Sequence, residues 1–271
     1  MFRNYCYGWA ILIIAVVLAV LFQLGVFSGG NFTPKAQAGS CQVSRTAAGA
    51  SLEGQCNGML PEFVASFSNA CGFSCLTMTT NSITTAGTIT LWFNIIGTSG
   101  SPDQRLIDGF NSIGCCTWRL DTNPSSYILV DPGCHCDIFY STPPTLNTWY
   151  FVGISAQNSG ANLLYTLDVN GQSVSSGTDS NENIQPITYF QTYFVYGDIA
   201  DIQIYNTSLS GPEMTALYQE GIGGAPIRPQ NIVGWWPLNG NLNDYSGNNN
   251  AAQIGTGMAY SSSWERSYTA P

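Results

Sequence analysis

The sequence predicts an all-β domain carried behind one N-terminal transmembrane α-helix. Three observations lead there. An unbroken apolar run occupies residues 9–27. Behind it come short alternating segments rich in β-branched and aromatic residues, separated by turn residues. The 271 residues also include 29 Gly and 13 Pro, which supply the turns such a domain needs.

The apolar run reads WAILIIAVVLAVLFQLGVF, and Gln23 is its one strongly polar side chain. Its length is close to the roughly 20 helical residues that cross a bilayer core. Arg3 precedes it and the next basic residue is Lys35, which places the N-terminus in the cytoplasm. Tyr5, Tyr7 and Trp9 then form an aromatic belt at the inner interface. A cleaved signal peptide fits less well. The apolar stretch is too long, and the AQA triplet at 36–38 lies too far beyond it. The expected organisation is an anchor over residues 1–27, touching lipid through residues 8–27, then a Gly/Pro/Ala-rich linker over 28–40 and an extracellular domain over 41–271. The expected location is the cell membrane, crossed once.

Within that domain, GTITLWFNII (87–96), WYFVGISA (149–156), LLYTLDV (163–169) and DIADIQIY (198–205) read as strands. Asn170-Gly171 is a hairpin-turn signal. Only SGPEMTALYQ (210–219) reads as helix, with Ser210 as N-cap and Glu213 at the capping-box spacing.

Nine cysteines are present. Cys6, at the start of the apolar run, is expected to be free. The other eight are Cys41, Cys56, Cys71, Cys75, Cys115, Cys116, Cys134 and Cys136, an even number beyond a membrane anchor. They are read as disulfides in an oxidising space, and eight cysteines leave about 105 pairings open. Proximity favours Cys41–Cys56, Cys71–Cys75, and the Cys115/Cys116 pair with Cys134/Cys136. CGFSC and CHC do not have the spacing of zinc knuckles. Asn31 and Asn206 head N-x-S/T triplets and are glycosylation candidates.

Charged residues make up 8% of the chain, against roughly 25% in an average protein. Net charge is -9, with 7 Lys+Arg. No basic surface can form, which argues against nucleic acid as a partner. A surface of hydroxyls and amides loses little when carboxylates protonate, so tolerance of acid is expected.

Two resemblances follow from these residues. YCYGWAILIIAVVLAVLFQLGVF (5–27) resembles the N-terminal helix of archaeal type IV pilin-like proteins. It lacks that family's processing site and its early Glu, and the resemblance implies a helix able to pack with copies of itself as a homo-oligomer. ITLWFNI (89–95), NTWYFVGIS (147–155), LDVNGQSV (167–174) and GDIADIQIYNTSLSGPEMTALYQEG (197–221) together resemble the laminin-G-like (LamG), concanavalin A-like jelly-roll family. WWPLNGNLNDYSGNNNAA (235–252) resembles that family's opening strand, yet stands last. Two explanations of that order compete, the start of a second repeat and, favoured here, a circularly permuted jelly-roll sandwich closed by a C-terminal strand over 232–254. The whole arrangement resembles surface proteins of small-genome archaea.

The chemistry expected of this domain is recognition. His135 is the only His, so no Ser-His-Asp site can be assembled. Asp198 and Asp201, three apart on a strand, should face opposite ways, and the paired-Glu motif of glycosidases that share the fold is missing. The chain is therefore expected not to be an enzyme. Calcium is the expected cofactor candidate, through Asp244 and Asn248 of the oxygen-rich NDYSGNNN turn with Asp201 as partner; an Asx-turn is the alternative. Trp118, Tyr127 and Tyr140 are the candidates for stacking on a sugar ring. The functional expectation is a membrane-anchored recognition or adhesion protein that binds an extracellular glycan or protein, the alternatives being a filament subunit and a hydrolase.

Overall fold

The computed structural model describes residues 44–45, 52–53 and 60–271, apart from 81–82, 99–100, 111–115, 132–137, 181–182, 185 and 270. The expected anchor and linker, Asn31, Cys6, Cys41, Cys56, Cys115, Cys134 and Cys136 lie outside the described residues. Among the described residues, no helix is long and apolar enough to cross a membrane.

Among the described residues seventeen strands follow one another: β1 (Ser44–Arg45), β2 (Leu52–Glu53), β3 (Val64–Phe67), β4 (Leu76–Thr79), β5 (Ala86–Ile95), β6 (Gln104–Phe110), β7 (Cys116–Asn123), β8 (Tyr127–Asp131), β9 (Ile138–Tyr140), β10 (Trp149–Ser159), β11 (Asn162–Val169), β12 (Gln172–Ser180), β13 (Tyr189–Tyr193), β14 (Gly197–Tyr205), β15 (Ile232–Trp236), β16 (Ala252–Ile254) and β17 (Met258–Ser261). One helix, α1 (Gly211–Glu220), stands between β14 and β15. β1 and β2 form a separate ribbon, and the other strands form two antiparallel sheets.

The first sheet runs β12-β11-β10-β5-β14-β3-β17. β14 holds β5 along one edge. Its other edge is shared: Gly197–Ile199 pair with β3, and Ile202–Tyr205 pair with β15. The exchange happens at a bulge, where the β14/β5 register shifts between Ala200 and Gln203. Asp201 is the extra residue, at φ 51. The second sheet runs β16-β4-β13-β6-β7-β8-β9. The C-terminal segment thus adds β15 and β17 to the first sheet and β16 to the second.

Both faces of the first sheet are covered, which explains why β5 and β14 are buried along almost their whole length. The inner face meets the second sheet around Leu91, Phe93, Val152, Ile154, Ile202, Ile204, Trp118 and Phe190. The outer face carries α1 and the turn at Trp264–Ser267 over Trp92, Trp149, Phe151, Tyr205, Met214, Leu217 and Trp235. α1 begins where its sequence demands: the Ser210 main-chain N–H donates to Glu213 at 2.8 Å. Gly153 clears the place where Met214 lands, since a Cβ there would lie 2.9 Å from its sulfur. The turn after β11 has Asn170 at φ 49 and Gly171 at φ 71, as a two-residue hairpin turn requires.

The bulge also revises one expectation. Asp198 accepts from Asn94, which in turn donates to Ser267 of the outer layer. Asp201 accepts from Trp235, also in the outer layer. The extra residue turns both carboxylates toward the same side.

Candidate functional site

The second sheet has one face in the core and one turned outward. Strand pairing on the outward face sets Tyr193, Arg105, Asp121, Leu129 and Phe139 side by side, one from each of β13, β6, β7, β8 and β9. Neighbouring rows place Arg119 opposite Asp131 and Asn123 opposite Tyr127. The alternation Arg119-Leu120-Asp121 makes this possible, because period two sends Leu120 inward and the charges outward; Trp118, at φ 67 where the β6/β7 register shifts, also turns inward.

These residues surround an open pocket of about 430 Å3, lined by Arg105, Arg119, Asp121, Asp103, Tyr127 and Leu129 with Phe73, Phe139 and Phe194 at its edge. Phe73 is 75% exposed and Phe139 50%. Phe73 meets Phe194 edge-on at 4.9 Å, and Phe139 meets Tyr127 at 5.6 Å. The Arg105 guanidinium lies 5.7 Å over the Tyr193 ring.

The floor of the pocket is an ion-pair network. Arg105 Nη1 lies 2.8 Å from Asp108, Arg119 Nε 3.2 Å from Asp121, and Arg119 Nη2 3.8 Å from Asp131. Residues three apart on a regular strand face opposite ways, but the β6/β7 register shifts twice between Arg105 and Gly109 and brings Asp108 round to Arg105. Burial pushes the Asp121 carboxyl up to about 7, and the nearby Arg119 and Arg105 only partly oppose it. Its Oδ1 is buried without a hydrogen-bond partner. Asp103 Oδ1 accepts from the Tyr127 hydroxyl and from Asn123, each at 2.8 Å. Burial, then the bond to Asp103, pushes Tyr127 up to about 12. The pocket therefore offers a charged, hydrogen-bonding floor and an aromatic rim, a combination suited to a ligand with both polar and apolar faces.

The three stacking candidates separate here. Tyr127 lines the pocket. Trp118 does not: it points inward from β7, is fully buried, and belongs to the core between the sheets. Tyr140 pairs with Ile128 and packs half-buried against the same core. Arg105, Arg119, Asp121 and Asp103 were not singled out from sequence. The available signal was that two of the chain's seven basic residues fall at 105 and 119, alternating with apolar neighbours.

The calcium candidates do not converge. Asp244 Oδ1 accepts from the Trp235 and Ser246 main-chain N–H groups. Its Oδ2 accepts from the Ser246 hydroxyl and from both nitrogens of Asn250. Asn248 Nδ2 donates to the Val233 carbonyl at 2.9 Å. This is an Asx-turn knot that ties residues 244–250 to β15. Asp201 touches the knot only through Trp235 and spends its carboxylate on Trp235 Nε1 (2.8 Å) and Gln203 Nε2 (2.9 Å). A calcium ion needs about six to eight oxygens, and these residues do not fit one. No group of three His, Cys, Asp or Glu among the described residues could hold a metal.

Cys71 and Cys75 form a disulfide with Cα atoms 5.6 Å apart. Asn206 is exposed, and its Oδ1 accepts from Asn231.

The fold is shared with jelly rolls of the concanavalin A-like type. A proposed carbohydrate-binding protein from Bacteroides ovatus superposes with a TM-score of 0.52 at 12% identity, over 83% of this chain and 70% of that one. A heptameric SAP-like pentraxin from Limulus polyphemus gives 0.52 at 14% identity, over 73% and 94%. No protein-family model matches the sequence, and no curated protein matches it. Sialidase structures from Trypanosoma rangeli also match, at 12–14% identity over 68% of this chain and 33% of theirs, with TM-scores of 0.43–0.46. The expectation that the chain is not an enzyme is corrected on that finding: enzymes are among the matched structures, and catalysis is not established.

Proposed function

We propose that this chain is a membrane-anchored surface recognition protein that binds a glycan on the outward face of the second sheet. The observation that carries the reading is the pocket in which Arg105, Asp121 and Asp103 lie beneath Phe73, Phe139 and Tyr127. Sugars present hydroxyls around their edge and C–H groups on their faces, and the pocket supplies a partner for each. The carbohydrate-binding match supports the ligand class. The apolar run at residues 9–27 and the Cys71–Cys75 disulfide support display outside the cell, where thiols oxidise. On the same reading the sandwich is a circularly permuted LamG-like jelly roll, with β15 as its displaced opening strand.

A glycan array probed with the purified full chain tests this. At least one glycan should bind, and Phe139→Ala and Tyr127→Ala should each weaken it by roughly tenfold with the thermal midpoint little changed. An array with no binding would overturn the ligand class. Binding indifferent to both variants would overturn the site. Display is tested separately: the chain should sediment with membranes in high salt and be cut by protease added to intact cells.

A further inference from the structure

Resting on the glycan-binding reading, we propose that the pocket takes an uncharged sugar ring and discriminates against acidic ones. Two free guanidiniums would attract a sugar carboxylate, but both are already committed. Arg105 holds Asp108, and Arg119 holds Asp121 and Asp131. The side chains of those three aspartates are at most 8% exposed, so none can swing aside for a ligand's anion. Asp103 adds a fourth carboxylate, held by Tyr127 and Asn123. Two cationic groups thus face four acidic ones, in a chain whose net charge is already -9.

An acidic sugar would bring a fifth carboxylate, able only to accept, into a partly desolvated site. An uncharged ring meets complementary groups. Asp103 takes its hydrogen bonds from Asn123 and Tyr127 through Oδ1, which leaves Oδ2 to a ligand. Arg105, with 37% of its side chain exposed, lines the same pocket. Adjacent ring hydroxyls both donate and accept, so one pair can bridge carboxylate and guanidinium. The C–H face of the ring then lies on Phe139 or Phe73.

The experiment titrates the full chain with two matched sets of oligosaccharides: neutral hexose oligomers, and oligomers carrying uronate, sialate or sulfate. Neutral members should bind roughly tenfold or more tightly than acidic ones. Asp103→Asn removes one charge and one strong acceptor, so it should weaken neutral binding, strengthen acidic binding and narrow the ratio. Preferential binding of acidic members would overturn the inference and leave glycan binding standing. A ratio unmoved by Asp103→Asn, in a variant whose melting is unchanged, would also overturn it. Failure of both sets to bind would instead overturn the reading on which the inference rests.

Discussion

The indole N–H of Trp235 donates to Asp201 Oδ1 at 2.8 Å, in a layer where both residues are buried. Six tryptophans fall among the described residues, and all six are buried. Five leave the indole N–H without a partner; Trp235 is the exception. The bond sits where β14 changes partner from β3 to β15. It extends to Gln203, whose Nε2 donates to the same carboxylate, and to Tyr205, whose hydroxyl donates to Gln203. The main-chain N–H of Trp235 meanwhile goes to Asp244. One residue thus joins the bulge to the Asx-turn knot, and a buried acid holds the C-terminal strand in place.

That acid makes stability depend on pH in an unusual direction. Burial pushes Asp201 up to about 7, with the Trp235 and Gln203 hydrogen bonds only partly countering it. Burial also pushes Asp121 up to about 7, and Asp168 and Asp198 upward. In the unfolded chain each returns to the ordinary value of 3.8. Below that value both states hold the proton and nothing is lost. Between 3.8 and about 7 the unfolded chain releases protons that the folded chain keeps, so stability falls as pH rises. Thermal midpoints should therefore be highest near pH 4 and decline through about pH 8, with Asp201 alone accounting for on the order of 4 kcal/mol. Asp201→Asn should flatten the decline. A midpoint that rises steadily with pH would contradict this account.

Replacing Trp235 tests the same bond from its other side. Trp235→Phe keeps an aromatic ring in the layer but leaves Asp201 Oδ1 without its donor. The expected loss is about 2–4 kcal/mol, from the orphaned acceptor and the smaller ring together. The loss should be larger at alkaline pH, where the carboxylate is charged, than in acid. Denaturant titrations at two pH values measure it, and equal losses at both would mean that packing alone is at work.

Much of this architecture was legible in the sequence, for local reasons. β5, β10, β11 and β14 announce themselves by alternation and β-branching, the Asn170-Gly171 turn by its residue types, and α1 by Ser210 and Glu213. The pocket was not legible. Its row of side chains comes from five strands brought together by pairing between distant segments, and the register shifts in β6 that carry Asp108 round to Arg105 break the alternation a reader would follow. Trp118 was a candidate for stacking on a sugar, yet it turns into the core from a left-handed backbone position, φ 67, that pattern alone does not reveal. Asp201 was read as one of a divergent pair because a bulge adds a residue that pattern alone does not reveal.

The inward path of Trp118 can be checked at Gly87 of β5. A Cβ at Gly87 would lie 2.4 Å from an Ile83 methyl carbon and 3.1 Å from the Trp118 ring. Gly87→Ala should cost about 1–3 kcal/mol through overpacking and should shift the near-ultraviolet signal of the buried indole. A variant as stable as the parent would mean that Trp118 does not fill that space.

The Cys71–Cys75 disulfide closes a five-residue loop with Phe73 at its centre, and Phe73 is part of the pocket rim. Chain entropy for so short a loop gives a stabilisation of about 2 kcal/mol, so the double variant Cys71→Ser, Cys75→Ser should lower the denaturant midpoint accordingly. Both cysteines are at most 1% exposed, so mild reductant should leave the bond intact until the chain unfolds. The loop also constrains the binding face. Phe73 holds its place against Phe194 and Tyr193 by edge-on contacts, and its backbone is tied at both ends by the disulfide. Freeing those ends adds conformations that a ligand must pay to restrict, so glycan affinity should fall by several-fold in the double variant. Phe73→Ala should weaken binding by a similar factor while leaving the midpoint within about 0.5 kcal/mol of the parent, because the ring is exposed. If the double variant loses stability but binds as the parent does, the disulfide serves the fold alone and Phe73 is not part of the binding surface.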